Sequence, residues 1–190
     1  MRLVALSGSV VTAEVIEDKR LVVWSPREGA DLYASGFYGK PLGITKPKEP
    51  EFDVPLILDL IEGVYLLERG RIRVVAGPRR RELSLRRLRG IAERVHDRFG
   101  IKYRVYRDLR ERGYIVTPGI KYGCDFAVYE HGPGIDHAPF IVQVKKPEEG
   151  LPASEVVRAG RLATTVRKTF IMAVVEDDAV TYLGFEWWKP

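Results

Sequence analysis

From residue 84 to residue 190 the apolar positions recur at helical spacing in some stretches and at every second residue in others, and the switches in period predict the elements of that half. A helix over 84–99 gathers Leu85, Leu88, Ile91, Ala92 and Val95 on one face, with Ser84 placed to cap its first turn. A second helix covers 102–112, strands cover 114–118, 124–130 and 139–145, a third helix covers 154–168, and further strands cover 170–176 and 180–187. The third helix has its apolar face in Val156, Val157, Ala159, Leu162, Ala163 and Val166. The order ααβββαββ predicts a mixed sheet flanked by helices.

The first half is patterned differently. Residues 3–24 alternate apolar and polar in short runs (LVAL, SVVTAEVIED, RLVVW), which predicts short strands joined by turns. The stretch 36–53, GFYGKPLGITKPKEPEFD, breaks every regular pattern and reads as a long loop with an exposed basic tip at Lys40, Lys46 and Lys48. LIEGVYLLERG, Leu60 to Gly70, has helical spacing and a closing glycine, and RIRVVAG after it reads as a strand. The basic, turn-prone run PRRRELSLRRLRG at 78–90 separates two apolar-patterned halves. The expected division is a small N-terminal α+β domain at 1–83, carrying the basic loop, and a second domain at 84–190.

Composition narrows the partners. The chain has 190 residues, 45% hydrophobic and 30% charged, and its 31 Lys+Arg against 26 Asp+Glu give a net charge of +5, which favours an anionic partner. A single cysteine, Cys124, read as a small buried residue, excludes an internal disulfide and a cysteine-held metal cluster, which fits a reducing compartment. The segment MRLVALSGSVVTAEV has no signal-peptide pattern, and no apolar run approaches the roughly 20 residues of a membrane span. A cytoplasmic protein without a membrane partner is expected.

Candidate chemistry gathers around KYGCDFAVYEHGPGIDHAPFIVQVKK, Lys121 to Lys146. Tyr129 ends one predicted strand and His137 begins the next, so the two can face one pocket. His131 lies in the same turn, but His137 adjoins the strand and is better anchored. On the following helix Arg161 and Lys168 are seven residues apart, which predicts one cationic stripe. A rival pattern is present too: Asp125 followed by Gln143 and Lys145 imitates the acid, acid, lysine signature of metal-dependent nucleases.

Three separated motifs, RGYIVTPGIKYGCDFAVY, HAPFIVQV and RAGRLATTVRK, together resemble the catalytic domain of the archaeal tRNA-splicing endonucleases, and YLLERGRI resembles that family's N-terminal domain. The resemblance implies a nuclease-like mixed sheet in the second domain and a catalytic triad at Tyr129, His137 and Lys168. It implies a metal-independent attack of a ribose 2′-hydroxyl on the adjacent phosphorus, without a cofactor, leaving a 2′,3′-cyclic phosphate and a 5′-hydroxyl. Tyr129 would take the 2′-hydroxyl proton, His137 would protonate the leaving 5′-oxygen, and Lys168 would stabilise the pentavalent phosphorane. Acid and base steps of this kind typically contribute about 10² to 10⁴-fold each.

The family's substrate is precursor tRNA with a bulge-helix-bulge at the intron boundaries, and the resemblance places Arg161 and Trp187, or Trp188 beside it, on a flipped bulge base. Glu176, Asp177 and Asp178 correspond to an acidic turn that docks on an opposing subunit. The loop at 36–53, with Lys40, Lys46 and Lys48 as possible RNA contacts, resembles an insertion of crenarchaeal members. An α2β2 heterotetramer with a non-catalytic paralogue is therefore expected, with a homotetramer or homodimer as the alternative. Two rivals stay open: a metal-dependent nuclease built on Asp125 and Lys145, and a non-catalytic RNA-binding subunit of the same complex.

Overall fold

The computed structural model describes residues 10–185 apart from 18, 45, 46, 48, 49, 136 and 167. The chain forms two compact units that part between Val95 and His96.

In the first unit β1 (Val11–Ile16), β2 (Arg20–Val23), β3 (Lys40–Pro41), β4 (Leu56–Leu58), β5 (Ile72–Ala76) and β6 (Arg81–Glu82) make a sheet in the order β3-β4-β2-β1-β5-β6. Its pairs are antiparallel except β1 with β5, which the connecting helices allow to run parallel. The helix α1 (Pro26–Ala34) starts where the Ser25 hydroxyl accepts from the Glu28 amide and Pro26 takes the first helical position. The helix α2 (Leu60–Glu68) starts in a capping box: Asp59 accepts from the Ile61 amide, and Glu62 reaches back to the Asp59 amide, each at 2.9 Å.

Glu62 is buried, and its second oxygen accepts from the Gly39 amide at 2.9 Å, so a single carboxylate both caps α2 and pins the start of the long loop. Gly39 has φ +74, and a Cβ there would lie 2.6 Å from the Ile57 carbonyl oxygen. The described residues of 36–53 are accordingly loop apart from one two-residue strand, β3. Leu21, Leu56, Leu58, Leu60, Leu66 and Val74 fill the core. The helix α3 (Leu85–Val95), capped by Ser84, buries Leu88, Ile91 and Ala92 and packs on α2. It belongs to the first unit for that reason, and the compact units part later than the expected 83/84.

The second unit holds α4 (Phe99–Glu111), β7 (Ile115–Pro118), β8 (Phe126–Tyr129), β9 (Phe140–Lys145), α5 (Ala153–Val166), β10 (Thr169–Glu176) and β11 (Ala179–Phe185). Its five strands lie in the order β11-β10-β9-β8-β7, antiparallel except β9 with β10, where α5 makes the crossover. Sheets with helices in both units make this an α+β protein. The expected helix over 84–99 is shorter, because Arg98 takes a left-handed conformation (φ +55) and α4 starts after it.

Edge strand β11 is fastened to α4. The Tyr182 hydroxyl donates to Asp108 at 2.7 Å, Arg112 donates to the same oxygen at 2.7 Å, and the Arg112 guanidinium lies 5.6 Å over the Tyr182 ring. Burial by itself raises the Asp108 carboxyl, but the bonds from Arg112 and Tyr182 outweigh it and hold the group below the usual carboxylate range. Burial, then the bond to Asp108, pushes the Tyr182 hydroxyl far up.

A carboxyl depressed in the folded state contributes stability above its unfolded value of about 3.9, and that contribution is lost as pH falls through the lower folded value. Asp108→Asn therefore lowers the melting temperature at neutral pH, and the gap to the parent protein closes below about pH 4. Thermal melts between about pH 2 and 7 test this, bracketing that carboxylate range; a gap independent of pH contradicts it.

Candidate active site

The sheet of the second unit sets the geometry. Val128 pairs with Phe140 across the antiparallel β8 and β9, and Phe140 pairs with Thr169 across the parallel β9 and β10. Residues 128, 140 and 169 thus form one row at one end of the sheet. At that end β8 finishes, and β9 and β10 both begin. Tyr129 lies one step past the row, His137 lies in the connection just before β9, and Lys168 lies one step before β10. The topology brings all three to one sheet edge. Tyr129 is half-buried and paired with Ile115 of β7, while His137 is exposed.

Two contacts of Lys168 bear on the site. Its ammonium donates to the carbonyl of Ala138, the residue next to His137, and it lies 5.3 Å from the centroid of the Tyr122 ring. The Thr169 amide donates to the Pro139 carbonyl at 2.8 Å, so main chain and side chain both tie this segment to the start of β9. The helix α5 ends at Val166, so Lys168 lies beyond it and the stripe expected for Arg161 and Lys168 does not form.

Spacing alone does not single out Tyr122. It ends a short 3-10 turn, Ile120–Tyr122, in which its amide donates to the Gly119 carbonyl at 2.8 Å. A Cβ at Gly119 would come within 2.7 Å of the Cys124 carbonyl oxygen, and Gly123 takes a left-handed φ of +66, so both glycines are needed for the turn. The ring packs against the cluster of Ile141, Ala159, Phe170 and Met172, and the Lys121 ammonium lies 5.9 Å from its centroid. The signal for it in the sequence is the pair of glycines framing one aromatic. Cys124 is half-buried rather than buried, its thiol 3.6 Å from the Tyr122 carbonyl.

The acid and lysine of the rival pattern are each taken up elsewhere. Asp125, its side chain 8% exposed, accepts from the Gln143 side chain at 2.7 Å, the Val144 amide at 2.8 Å and the Lys102 ammonium at 3.0 Å. Lys145 pairs with Glu155 of α5 at 2.9 Å. Asp125 is a structural hub joining α4, β8 and β9. Among the described residues no cluster of three His, Cys, Asp or Glu side chains forms a metal-binding group.

Arg161 is exposed on α5, and Lys40 is exposed on β3. Lys46, Lys48, Trp187 and Trp188 lie outside the described residues. Glu176 ends β10, and Asp177 and Asp178 form the exposed turn to β11, with Asp177 at φ +46 and Asp178 3.0 Å from Arg104. No helix among the described residues is long and apolar enough to cross a membrane.

The chain is similar to proteins of one family. Residues 12–89 match the family described as tRNA intron endonuclease, N-terminal domain, and residues 99–182 match tRNA intron endonuclease, catalytic C-terminal domain. A tRNA-splicing endonuclease of Hyperthermus butylicus is 50% identical over 173 residues, covering 90% of this chain and 95% of the relative. Those of Sulfurisphaera tokodaii (41% over 179 residues, 93% and 98% covered) and Saccharolobus islandicus (42% over 165 residues, 85% and 90% covered) are similar across much of the same span. The chain belongs to the tRNA intron endonuclease family. It is an RNA endonuclease, and the edge carrying Tyr129, His137 and Lys168 lies inside the matched catalytic domain.

Removing the Asp125 carboxylate leaves the Lys102 ammonium and the Val144 amide without their acceptor. Asp125→Ala should cost about 2–4 kcal/mol of unfolding free energy. Urea denaturation of the two proteins measures it, and a cost within about 0.5 kcal/mol, the range of an ordinary surface change, refutes the hub.

Proposed function

We propose that the chain is the catalytic subunit of a tRNA-splicing endonuclease that opens bulge-helix-bulge RNA without a metal ion, leaving 2′,3′-cyclic phosphate and 5′-hydroxyl ends. The observation that carries the reading is the convergence of Tyr129, His137 and Lys168 on one sheet edge, with Lys168 tied to the carbonyl beside His137. In this mechanism Tyr129 removes the proton of the ribose 2′-hydroxyl, and the 2′-oxygen bonds to the neighbouring phosphorus. The bond from phosphorus to the 5′-oxygen then breaks, and His137 delivers a proton to that oxygen. Lys168 places its positive charge where the phosphorane gains negative charge.

A fixed ammonium is worth more here than a mobile one, because it needs no reorientation as charge develops. The Ala138 carbonyl and the Tyr122 ring supply that fixation from two separate points of the chain. Arg161, exposed on α5, suits a planar cation that stacks on an extruded base, with Trp187 as the second face. The acidic turn at 176–178, wholly exposed at Asp178, suits docking to an opposing subunit, and an α2β2 assembly with a paralogue in the cytoplasm completes the reading.

The test is cleavage of an end-labelled bulge-helix-bulge RNA in excess EDTA, by the chain alone and with its paralogue, with the chemistry of the new ends determined. Cyclic phosphate ends, and a fall of about 10² to 10⁴-fold in single-turnover rate for His137→Ala, are expected. A requirement for Mg²⁺ with 5′-phosphate ends overturns the mechanism, and full activity of His137→Ala overturns the catalytic assignment.

Tyr122 gives a separate prediction. A cation–π contact of about 1–2 kcal/mol that positions Lys168 corresponds to roughly a tenfold effect on rate. Tyr122→Leu should lower the single-turnover rate about that much with RNA affinity unchanged, and Tyr122→Phe should restore it. Equal loss in both variants would show that the ring face has no part in holding Lys168.

A further inference from the structure

Some of the described arginines pair with carboxylates and others do not. Several on the second unit are engaged with carboxylates: Arg98 with Glu149, Arg104 with Asp178, Arg107 with Glu111 and Arg112 with Asp108. On the first unit Arg80 pairs with Glu14, but Arg79, Arg81, Arg86 and Arg87, all exposed, carry no carboxylate partner among the described residues. These arginines lie on the turn before β6, on β6 itself and on the first turn of α3.

The local shape suits an extended anion. Leu83, Ser84, Arg86, Arg87, Gly90, Ile91 and Arg94 line an open trough of about 600 Å³, and a second of about 470 Å³ shares Arg86 and Gly90 with it. Gly90 is the cause of the dip: an added Cβ there would meet nothing within 4 Å, so the helix face is bare between Arg86 and Arg94. At 1.5 Å per residue those two arginines are about 12 Å apart along the helix axis, with Arg87 alongside. A guanidinium presents a planar fork of donors that fits a phosphate in bidentate fashion.

We propose that Arg86, Arg87 and Arg94, extended by Arg79 and Arg81, bind the phosphate backbone of a helical arm of the RNA substrate. The inference rests on the chain being an RNA endonuclease and gives the N-terminal unit a substrate-binding role separate from the cleavage chemistry of the other unit. Phosphate contacts of this sort position an RNA helix without reading its sequence, since double-stranded RNA is recognised through its backbone and shape. A protein partner fits less well. The trough has no aromatic side chain in its lining, and its apolar floor is limited to Leu83 and Ile91, which gives little of the apolar anchor that protein interfaces use.

The experiment uses the assembled enzyme with two probes, the bulge-bearing RNA and a bulge-free RNA hairpin, and two variants, Arg86→Gln/Arg87→Gln/Arg94→Gln and Arg79→Gln/Arg81→Gln. Affinity is measured across a salt series, with cleavage rate at saturating RNA and sedimentation for assembly. The expected result for the triple variant is a drop of about tenfold or more in affinity for both probes, together with a dependence of log affinity on log salt that is shallower by about 2–3, close to one for each phosphate no longer neutralised by a guanidinium. The saturating cleavage rate stays as in the parent, and the double variant shows the same trend more weakly.

Unchanged affinity and salt slope in both variants overturn the proposal. So does dissociation of the assembly with affinity retained, which would make the trough a protein interface. The hairpin separates this inference from the cleavage reading. If the parent fails to cut the bulge-bearing RNA yet loses hairpin affinity on substitution, the trough stands and the cleavage reading fails. If cleavage proceeds and the variants bind like the parent, the reverse holds.

Discussion

The arrangement depends on the register of three strands. A hairpin reverses the chain between β8 and β9, and the crossover through α5 returns it to the same end for β10, because parallel neighbours must begin on one side. One exit and two beginnings therefore meet at a single edge. A slip of one residue in either pairing would turn Ile141 and Phe170 out of the core, which is why their burial locks the register. The same core, with Ala159 and Met172, supports the Tyr122 ring on which Lys168 rests. Packing and site geometry are in this way a single constraint.

Carboxylates around that core hold it together. Asp125 ties α4 to β8 and β9, Asp108 ties α4 to β11, Glu149 holds Arg98 at the start of α4, and Glu155 holds Lys145 to α5. Each is engaged with cations, amides or hydroxyls. The edge carrying Tyr129, His137 and Lys168 is built from groups of another kind, a phenol, an imidazole and an ammonium, which can move protons and meet phosphate charge. The first unit uses its acids differently: Glu62 caps a helix and pins a loop.

Much of the second unit is legible in the sequence because its periods are clean. The strands ending at Tyr129 and beginning near His137, the helix after them and the final hairpin all form close to their expected limits. In the first unit the apolar pattern of α1 is faint, since only Leu32 and Tyr33 among its residues are large and buried, although Ser25, Pro26 and Glu28 spell a helix start. The strands β3, β4 and β6 are two or three residues long, too short to show a period. The apparent kinship of α3 with the second half reflects its place after a basic turn, whereas its apolar face packs on α2.

What the sequence by itself determined is the kind and order of the elements and the residue types available to the chemistry, because helical and strand periods are local properties of the chain. Tertiary structure alone decided that Lys168 leaves its helix for the Ala138 carbonyl and the Tyr122 ring, and that Asp125 serves Lys102, Gln143 and Val144. It also decided that the units part after α3. Those choices are made between residues far apart along the chain, where burial and hydrogen-bond satisfaction select the partner and no local spacing records it.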